Sequence, residues 1–199
     1  KAVEISQKTD KEVVFISVGF ETTAPTVAAM LLTNPPANFS ILSCHRVVPP
    51  AMSWLLSQGE AKLDGFLLPG HVLTVAGLGE YRKFSVPQVV AGFEADDILL
   101  GLCMLAQQVR DGTACVENAY PRAVFEDGNP KAMAVMNQVF EPCDVEWRGF
   151  PVIPESGLKL RDSYERYDAQ KKFGITYKKV TKNSACICER VLRGIAEPS

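Results

Sequence analysis

Three reactive side chains sit in settings that suggest a site: Glu21 in Gly19-Phe20-Glu21-Thr22-Thr23-Ala24-Pro25, His71 in Pro69-Gly70-His71, and Glu94 in Gly92-Phe93-Glu94. A histidine and two carboxylates can act as metal ligands or as general acid and base. Gly19 permits a tight turn or a close approach to the main chain. The hydroxyl of Thr22 or Thr23 can cap a following helix, and Pro25 suits its first turn. Amides and the dipole at such a helix start would favour an anion. A plainer reading stands beside each. Thr-Thr-Ala-Pro is also an ordinary cap, His71 an ordinary hydrogen-bonded histidine, and Glu94 a carboxylate favoured by a helix dipole. Glu21 precedes the cap and has no helical pairing partner, which predicts a carboxylate facing an open crevice. His45, beside Arg46, is the weaker of the two histidines.

The cysteines divide in the same way. Cys44, Cys103, Cys115 and Cys143 lie singly in apolar stretches, as expected of reduced, buried thiols in a cytoplasmic protein. Cys186-Ile187-Cys188 differs. In an extended segment the two side chains point to opposite sides, so a bond between them would be strained. In a loop both could reach a metal, but a four-thiolate site needs two more cysteines close by. The pair is either unused or half of a site.

These side chains need elements to position them. Val13–Val18, Phe39–Cys44, Gly65–Leu68 and Val89–Ala91 read as strands, the first continuous and β-branched, as if covered on both faces. Helical patterns cover 26–32, 49–56 and 95–109. The longest is apolar at Ile98, Leu99, Leu102, Leu105 and Ala106 and is closed by Gly112. Alternating strands and helices at this spacing predict an α/β fold. We expect one parallel sheet with helices on both faces, three layers in all, followed by a largely irregular C-terminal segment. The expected division is an α/β domain over 1–140 and an irregular or helical segment over 141–199, where Pro142, Gly149, Pro151, Pro154 and Gly157 punctuate the chain. Ligands of such sheets bind beyond the carboxyl ends of the strands. There the reading gathers Glu21, Thr23, His71 and Glu94 around one pocket.

Composition narrows the function. A net charge of −2 argues against an electrostatic nucleic-acid binder, and no apolar run is long enough to span a bilayer. There is no Gly-x-Ser-x-Gly elbow, P-loop or Gly-x-Gly-x-x-Gly, which counts against common hydrolase, nucleotidase and dehydrogenase designs. The chain opens on Lys1 without a charged-then-apolar leader, suggesting a trimmed piece without a signal peptide.

Several strings together resemble the hydrogenase maturation factor HypD family. They are Gly19 to Pro25, His45-Arg46-Val47-Val48-Pro49-Pro50-Ala51-Met52, Pro69-Gly70-His71-Val72, Ala91 to Leu99, Val116-Glu117-Asn118, and Trp147-Arg148-Gly149-Phe150 through Ile153-Pro154-Glu155-Ser156-Gly157-Leu158. The resemblance implies a cytoplasmic iron–sulfur protein that, with a HypC-type partner, is the scaffold on which the Fe(CN)2CO group of [NiFe]-hydrogenase is assembled. A HypE-type partner delivers the cyanides. It implies two similar α/β domains and a third holding a [4Fe-4S] cluster, with this chain as the second α/β domain and the lead-in to the third. Glu21, Thr22, Thr23 and His71 then carry the chemistry, and Gly19, Phe20, Pro69, Gly70 and Glu94 line the cofactor site. Cys186 and Cys188 would be metal ligands only with further cysteines. The family's Cys-Gly-x-His and Gly-Pro-Gly-Cys strings do not occur here. The expectation is therefore a scaffold piece, inactive alone and binding neither group, rather than a free-standing enzyme. Two rival readings remain: an α/β hydrolase or isomerase using Glu21, His71 and Glu94 on an anionic small molecule, and a non-catalytic interaction module.

Overall fold

Short β-branched runs alternate with alanine- and leucine-rich stretches, and the backbone follows them. The computed structural model describes residues 1–176 and 186–198. Its order is α1 (Ala2–Ser6), β1 (Val13–Gly19), α2 (Ala24–Leu32), β2 (Phe39–His45), α3 (Val48–Ser57), β3 (Phe66–Pro69), α4 (Gly70–Ala76), β4 (Gln88–Ala91), α5 (Ala95–Asp111), β5 (Val116–Asn118), α6 (Pro130–Val139), β6 (Phe140–Glu146), β7 (Val152–Leu160), α7 (Ala169–Lys172) and α8 (Cys188–Leu192). The fold is α/β with parallel sheets, as the sequence implies. The chain forms two compact units, Lys1–Pro50 with Ala132–Cys186, and Ala51–Lys131 with Ile187–Ser199.

In the first unit β1 and β2 pair in parallel, in register from Val13 opposite Phe39 to Gly19 opposite His45. One edge of β2 meets the later chain through bridges of Ile41 to Asp168 and Arg46 to Gly157. The core joins Ala24, Val27, Ala28 and Leu31 of α2 to Phe39 and Ile41 of β2, with Met136, Val139, Phe140, Leu158, Leu160 and Tyr167. The stretch after residue 140, expected to be largely irregular, contains the antiparallel ribbon β6–β7, with a bulge between Cys143 and Val145. Proline and glycine are weak evidence against a two-stranded ribbon, because each strand keeps an edge on which a missing N–H costs little. The expectation that β1 is covered on both faces is also corrected: Val14, Phe15, Ile16 and Val18 are exposed.

The second unit is a parallel sheet ordered β3-β4-β5. Its core includes Leu68, Val72, Leu73, Val89, Val90, Ala91, Val116 and Val124. Helix α5 lies close on the sheet because Gly101 has no side chain: a Cβ there would come 2.7 Å from Leu67 and 3.0 Å from the Ala91 side chain. The buried face of α5 therefore runs through Asp97, Gly101 and Gln108. Leu99, Leu102 and Ala106, read from spacing as part of an inward stripe, are exposed. Gly112 ends the helix in the left-handed conformation, as expected. Gln108 pairs with the buried Gln88 and with Glu117, satisfying polar groups beneath the helix.

The single sheet expected from the four strands is thus two sheets, β1–β2 and β3–β4–β5. Strand periodicity identifies strands but does not say which neighbours share a ladder, and consecutive strands are adjacent only about two-thirds of the time. Within the units the Gly-Phe-Glu and Pro-Gly-His strings stand at the carboxyl ends of strands of a parallel sheet.

Candidate functional site

In the first unit the register of Gly19 with His45 sets the carboxyl ends of β1 and β2 level. Gly19 has φ +148°, and a Cβ there would run into the Thr23 side chain. The chain then tightens on the Phe20 carbonyl, which accepts from the Thr23 and Ala24 amides at 3.1 and 3.3 Å and from the Thr23 hydroxyl at 3.1 Å. Thr23 occupies the cap position of α2, yet its hydroxyl makes no cap bond. The predicted side-chain cap is replaced by this backward bond. Thr22 is half-buried beside it.

Glu21 does not face open space. Its side chain is 2% exposed, and Oε1 accepts from the Val48 amide at 3.0 Å, capping the first turn of α3. Oε2 is buried with no hydrogen-bond partner among the described residues. Burial pushes the Glu21 pKa up, against the opposing pull of the Val48 amide and its own. The carboxyl therefore keeps its proton more readily than an ordinary glutamate.

His45 is 1% exposed. Its Nε2 lies 3.2 Å from the Ser17 hydroxyl and its Nδ1 3.3 Å from that of Ser43, and its ring meets Phe140 edge-on at 5.4 Å. Burial, helped by the charge of Arg46, lowers its pKa to about 4, so the ring is neutral at pH 7. This is a packed structural histidine. Sequence reasoning missed what surrounds it. The Arg46 amide donates to Gly19 O at 2.9 Å and its guanidinium to Glu146 O at 3.1 Å. The Trp147 ring lies 6.2 Å from Phe20, and its N–H donates to Ser156 Oγ at 2.8 Å. Ser156 O in turn accepts from the Val47 amide at 2.9 Å. Three strings far apart in sequence thus meet at one strand end.

In the second unit Pro69 and Gly70 lead straight from β3 into α4, with His71 in its first turn. A Cβ on Gly70 would stand 2.5 Å from Ala91 O and 2.7 Å from the Tyr120 ring. His71 is exposed. Its ring centroid lies 4.5 Å from Phe93 and 6.1 Å from Tyr120, perpendicular to the latter. Asn118 shapes this loop, accepting from the Tyr120 amide and donating to Val124 O, both at 2.9 Å. The Arg122 guanidinium sits 4.4 Å over the Tyr120 ring and grips the nearly enclosed Asp97 through bonds of 2.7 and 2.5 Å. Arg122 holds the Asp97 carboxyl below its ordinary range, and the Glu94 amide also bonds to it. Asp97 therefore closes the α5 start from inside while Glu94, at the cap position, stays exposed. Asp97 lies in one of the strings noted in the sequence but was given no role there, and Tyr120 and Arg122 escaped the sequence reading. A carboxylate at the third helical position was the available signal.

Glu21 and Thr23 thus belong to one unit, and His71 and Glu94 to the other. Each strand end offers hydrogen-bonding groups beside an aromatic ring. Cys186 is exposed and Cys188 opens α8. Together they bring two thiolates where a [4Fe-4S] cluster takes four. Among the described residues no three His, Cys, Asp or Glu side chains are grouped to hold a metal. The residues present therefore do not fit the cluster by themselves. Among the described residues no helix is long and apolar enough to cross a membrane.

Comparison with known proteins agrees with the shared strings. The HypD family model, described as the hydrogenase formation hypA family, matches residues 1–199. A Methanocaldococcus jannaschii protein named for hydrogenase expression/formation is 44% identical, over all of this chain and 58% of its own length. The hydrogenase maturation factor HypD of Cupriavidus necator is 39% identical over all of this chain and 56% of itself. The hydrogenase maturation factor HypD2 of Bradyrhizobium diazoefficiens is 40% identical over 94% of this chain and 53% of itself. The chain thus spans little more than half the length of the curated relatives it matches. With a match to the family model from end to end, the chain belongs to the HypD family of hydrogenase formation proteins.

Proposed function

We propose that this chain serves [NiFe]-hydrogenase maturation as part of the scaffold on which Fe(CN)2CO is assembled, working in the cytoplasm with a HypC-type partner and a HypE-type cyanide donor. The observation that carries the reading is the convergence of family strings at strand ends. Gly19–Pro25, His45–Val48 and Trp147–Gly157 meet in one unit, and Pro69–His71, Gly92–Asp97 and Val116–Asn118, followed by Tyr120 and Arg122, in the other. Packing alone does not call for an exposed histidine flanked by rings, nor for a buried carboxyl with one oxygen unpaired among the described residues.

The iron group is cargo, and its cyanides are hydrogen-bond acceptors carrying negative charge. The exposed His71 can donate to such an acceptor, with Phe93 and Tyr120 holding its ring. Glu21 can give up a proton from Oε2, and take one up there once deprotonated, without losing the Val48 bond at Oε1. Thr22 and Thr23 follow it in the chain, with the Thr23 hydroxyl held on the Phe20 carbonyl. Gly19, Phe20, Pro69 and Gly70 shape the backbone, and the exposed Glu94 can orient a partner's cation or a proton donor. The test uses a full-length family member with its HypC-type partner, with Glu21→Gln and His71→Gln placed at the aligned positions. The expected result is loss or displacement of the cyanide and carbonyl infrared bands, with the fold retained. Unchanged bands in both variants would remove these residues from cargo binding.

A further inference from the structure

Strand β1 is open on two sides at once. Side chains alternate across a strand, so Val14, Ile16 and Val18 share one face, and they are 40%, 62% and 67% exposed. Backbone groups alternate as well. The Val13 amide donates to Asn38 O, and Gly19 O accepts from the Arg46 amide, so the odd-numbered residues turn toward β2. Val14, Ile16 and Val18 therefore direct their N–H and C=O groups to the other edge, where no strand pairs with β1 among the described residues. Parallel sheets are normally covered on both faces, and two strands alone are marginal. Exposed edges are usually defended by charge, proline or a bulge; Val13–Gly19 has no charged residue or proline and pairs with β2 in unbroken register. An apolar, undefended parallel edge has the character of an interior strand.

We propose that this edge and the Val14–Ile16–Val18 face dock a parallel β-strand and its crossover segment from the part of a full-length family member that this chain does not span. The inference rests on family membership and is independent of the cargo reading. Length supports it, since the Cupriavidus necator relative is matched over only 56% of itself. The sense of the ladder supports it too. A parallel neighbour needs a crossover of a dozen or more residues, usually helical, and that helix is what covers the face. A second copy meeting β1 edge to edge about a two-fold axis would pair antiparallel and bring no crossover.

Residue-resolved hydrogen exchange on this chain and on the full-length Cupriavidus necator relative tests the proposal. In this chain the amides of Val14, Ile16 and Val18 should exchange about tenfold or more faster than those of Phe15 and Ser17. At the aligned segment of the relative all should be protected. Ile16→Lys should leave the melting temperature of this chain almost unchanged, while lysine at the aligned position of the relative should lower it by several degrees. Equal exchange of the segment in both proteins, or lysine tolerated in both, overturns the proposal. So does protection in this chain accompanied by a dimer mass, which makes a second copy the occupant.

Discussion

Gly-Phe-Glu occurs twice, after β1 and after β4, and the two copies have opposite fates. At Gly19-Phe20-Glu21 the carboxylate is buried, reaches 27 residues along the chain to the start of α3, and keeps one oxygen unpaired. At Gly92-Phe93-Glu94 the carboxylate is exposed, and Asp97 does the inward work at the helix start. The aromatic rings differ as well. Phe20 leans on Trp147, whereas Phe93, 64% exposed, leans on His71. The same tripeptide at the same point of a parallel sheet yields an enclosed acid in one unit and an open imidazole in the other. The lesson is that the neighbouring loop decides: α3 presents a bare amide to Glu21, whereas Asp97 takes the amide of Glu94.

The sharpest way to break this comparison is through its glycines. Gly19→Ala and Gly92→Ala should each cost about 2–3 kcal/mol in urea unfolding, from overpacking and, at Gly19, a positive φ. Thr23→Ala should recover part of the loss at Gly19 by removing the hydroxyl that a Cβ meets. Asp97→Ala should not recover the loss at Gly92, because a Cβ would still stand 2.8 Å from Tyr120. Equal rescue at both sites would erase the distinction.

Next in size is the pH response of the first unit. His45 is neutral when folded, its pKa lowered from 6.5 to about 4. Below pH 6.5 the unfolded chain takes up a proton that the native ring refuses, so stability present above that pH is lost as it falls toward 4. The loss is at most about 3 kcal/mol, and His45→Gln should flatten it. A smaller effect is expected at Asp97. Asp97→Asn should lower stability slightly and release Arg122 from its grip, visible as altered fluorescence of the adjacent Tyr120. The smallest comes from Glu21, whose native pKa is raised. Its contribution is fully present below the unfolded value near 4.5 and is lost as pH rises through the native value. Glu21→Gln should therefore gain stability relative to the parent at pH 8 and lose that advantage at pH 4.

Element types were legible because apolar runs and helix patterns are local: Val13–Val18, Phe39–Cys44 and the long helix ended by Gly112 all form. The split into two sheets was not, since no local feature of 66–69 says that it joins β4 rather than β2. The ribbon β6–β7 was hidden by its prolines. Gly19–Thr23 and Pro69–His71 were visible as unusual strings, but what Glu21 touches depends on Val48, and what holds His71 depends on Asn118, Tyr120 and Arg122. Such long-range pairings carry no periodic signal. Apolar residues alone did not identify burial either, as Leu99 and Leu102 stand exposed beside the buried Gly101.

Under the proposed function, these two strand ends, one enclosed and one open, serve hydrogenase maturation. The most direct test is hydrogenase activity in cells whose sole HypD-family protein is a full-length member changed at the positions aligned with Glu21 and His71. Glu21→Gln and His71→Ala should each reduce activity at least about tenfold, while Phe125→Ala, exposed and outside both strand ends, leaves it unchanged. Full activity in both site variants, with normal protein levels, would contradict the account.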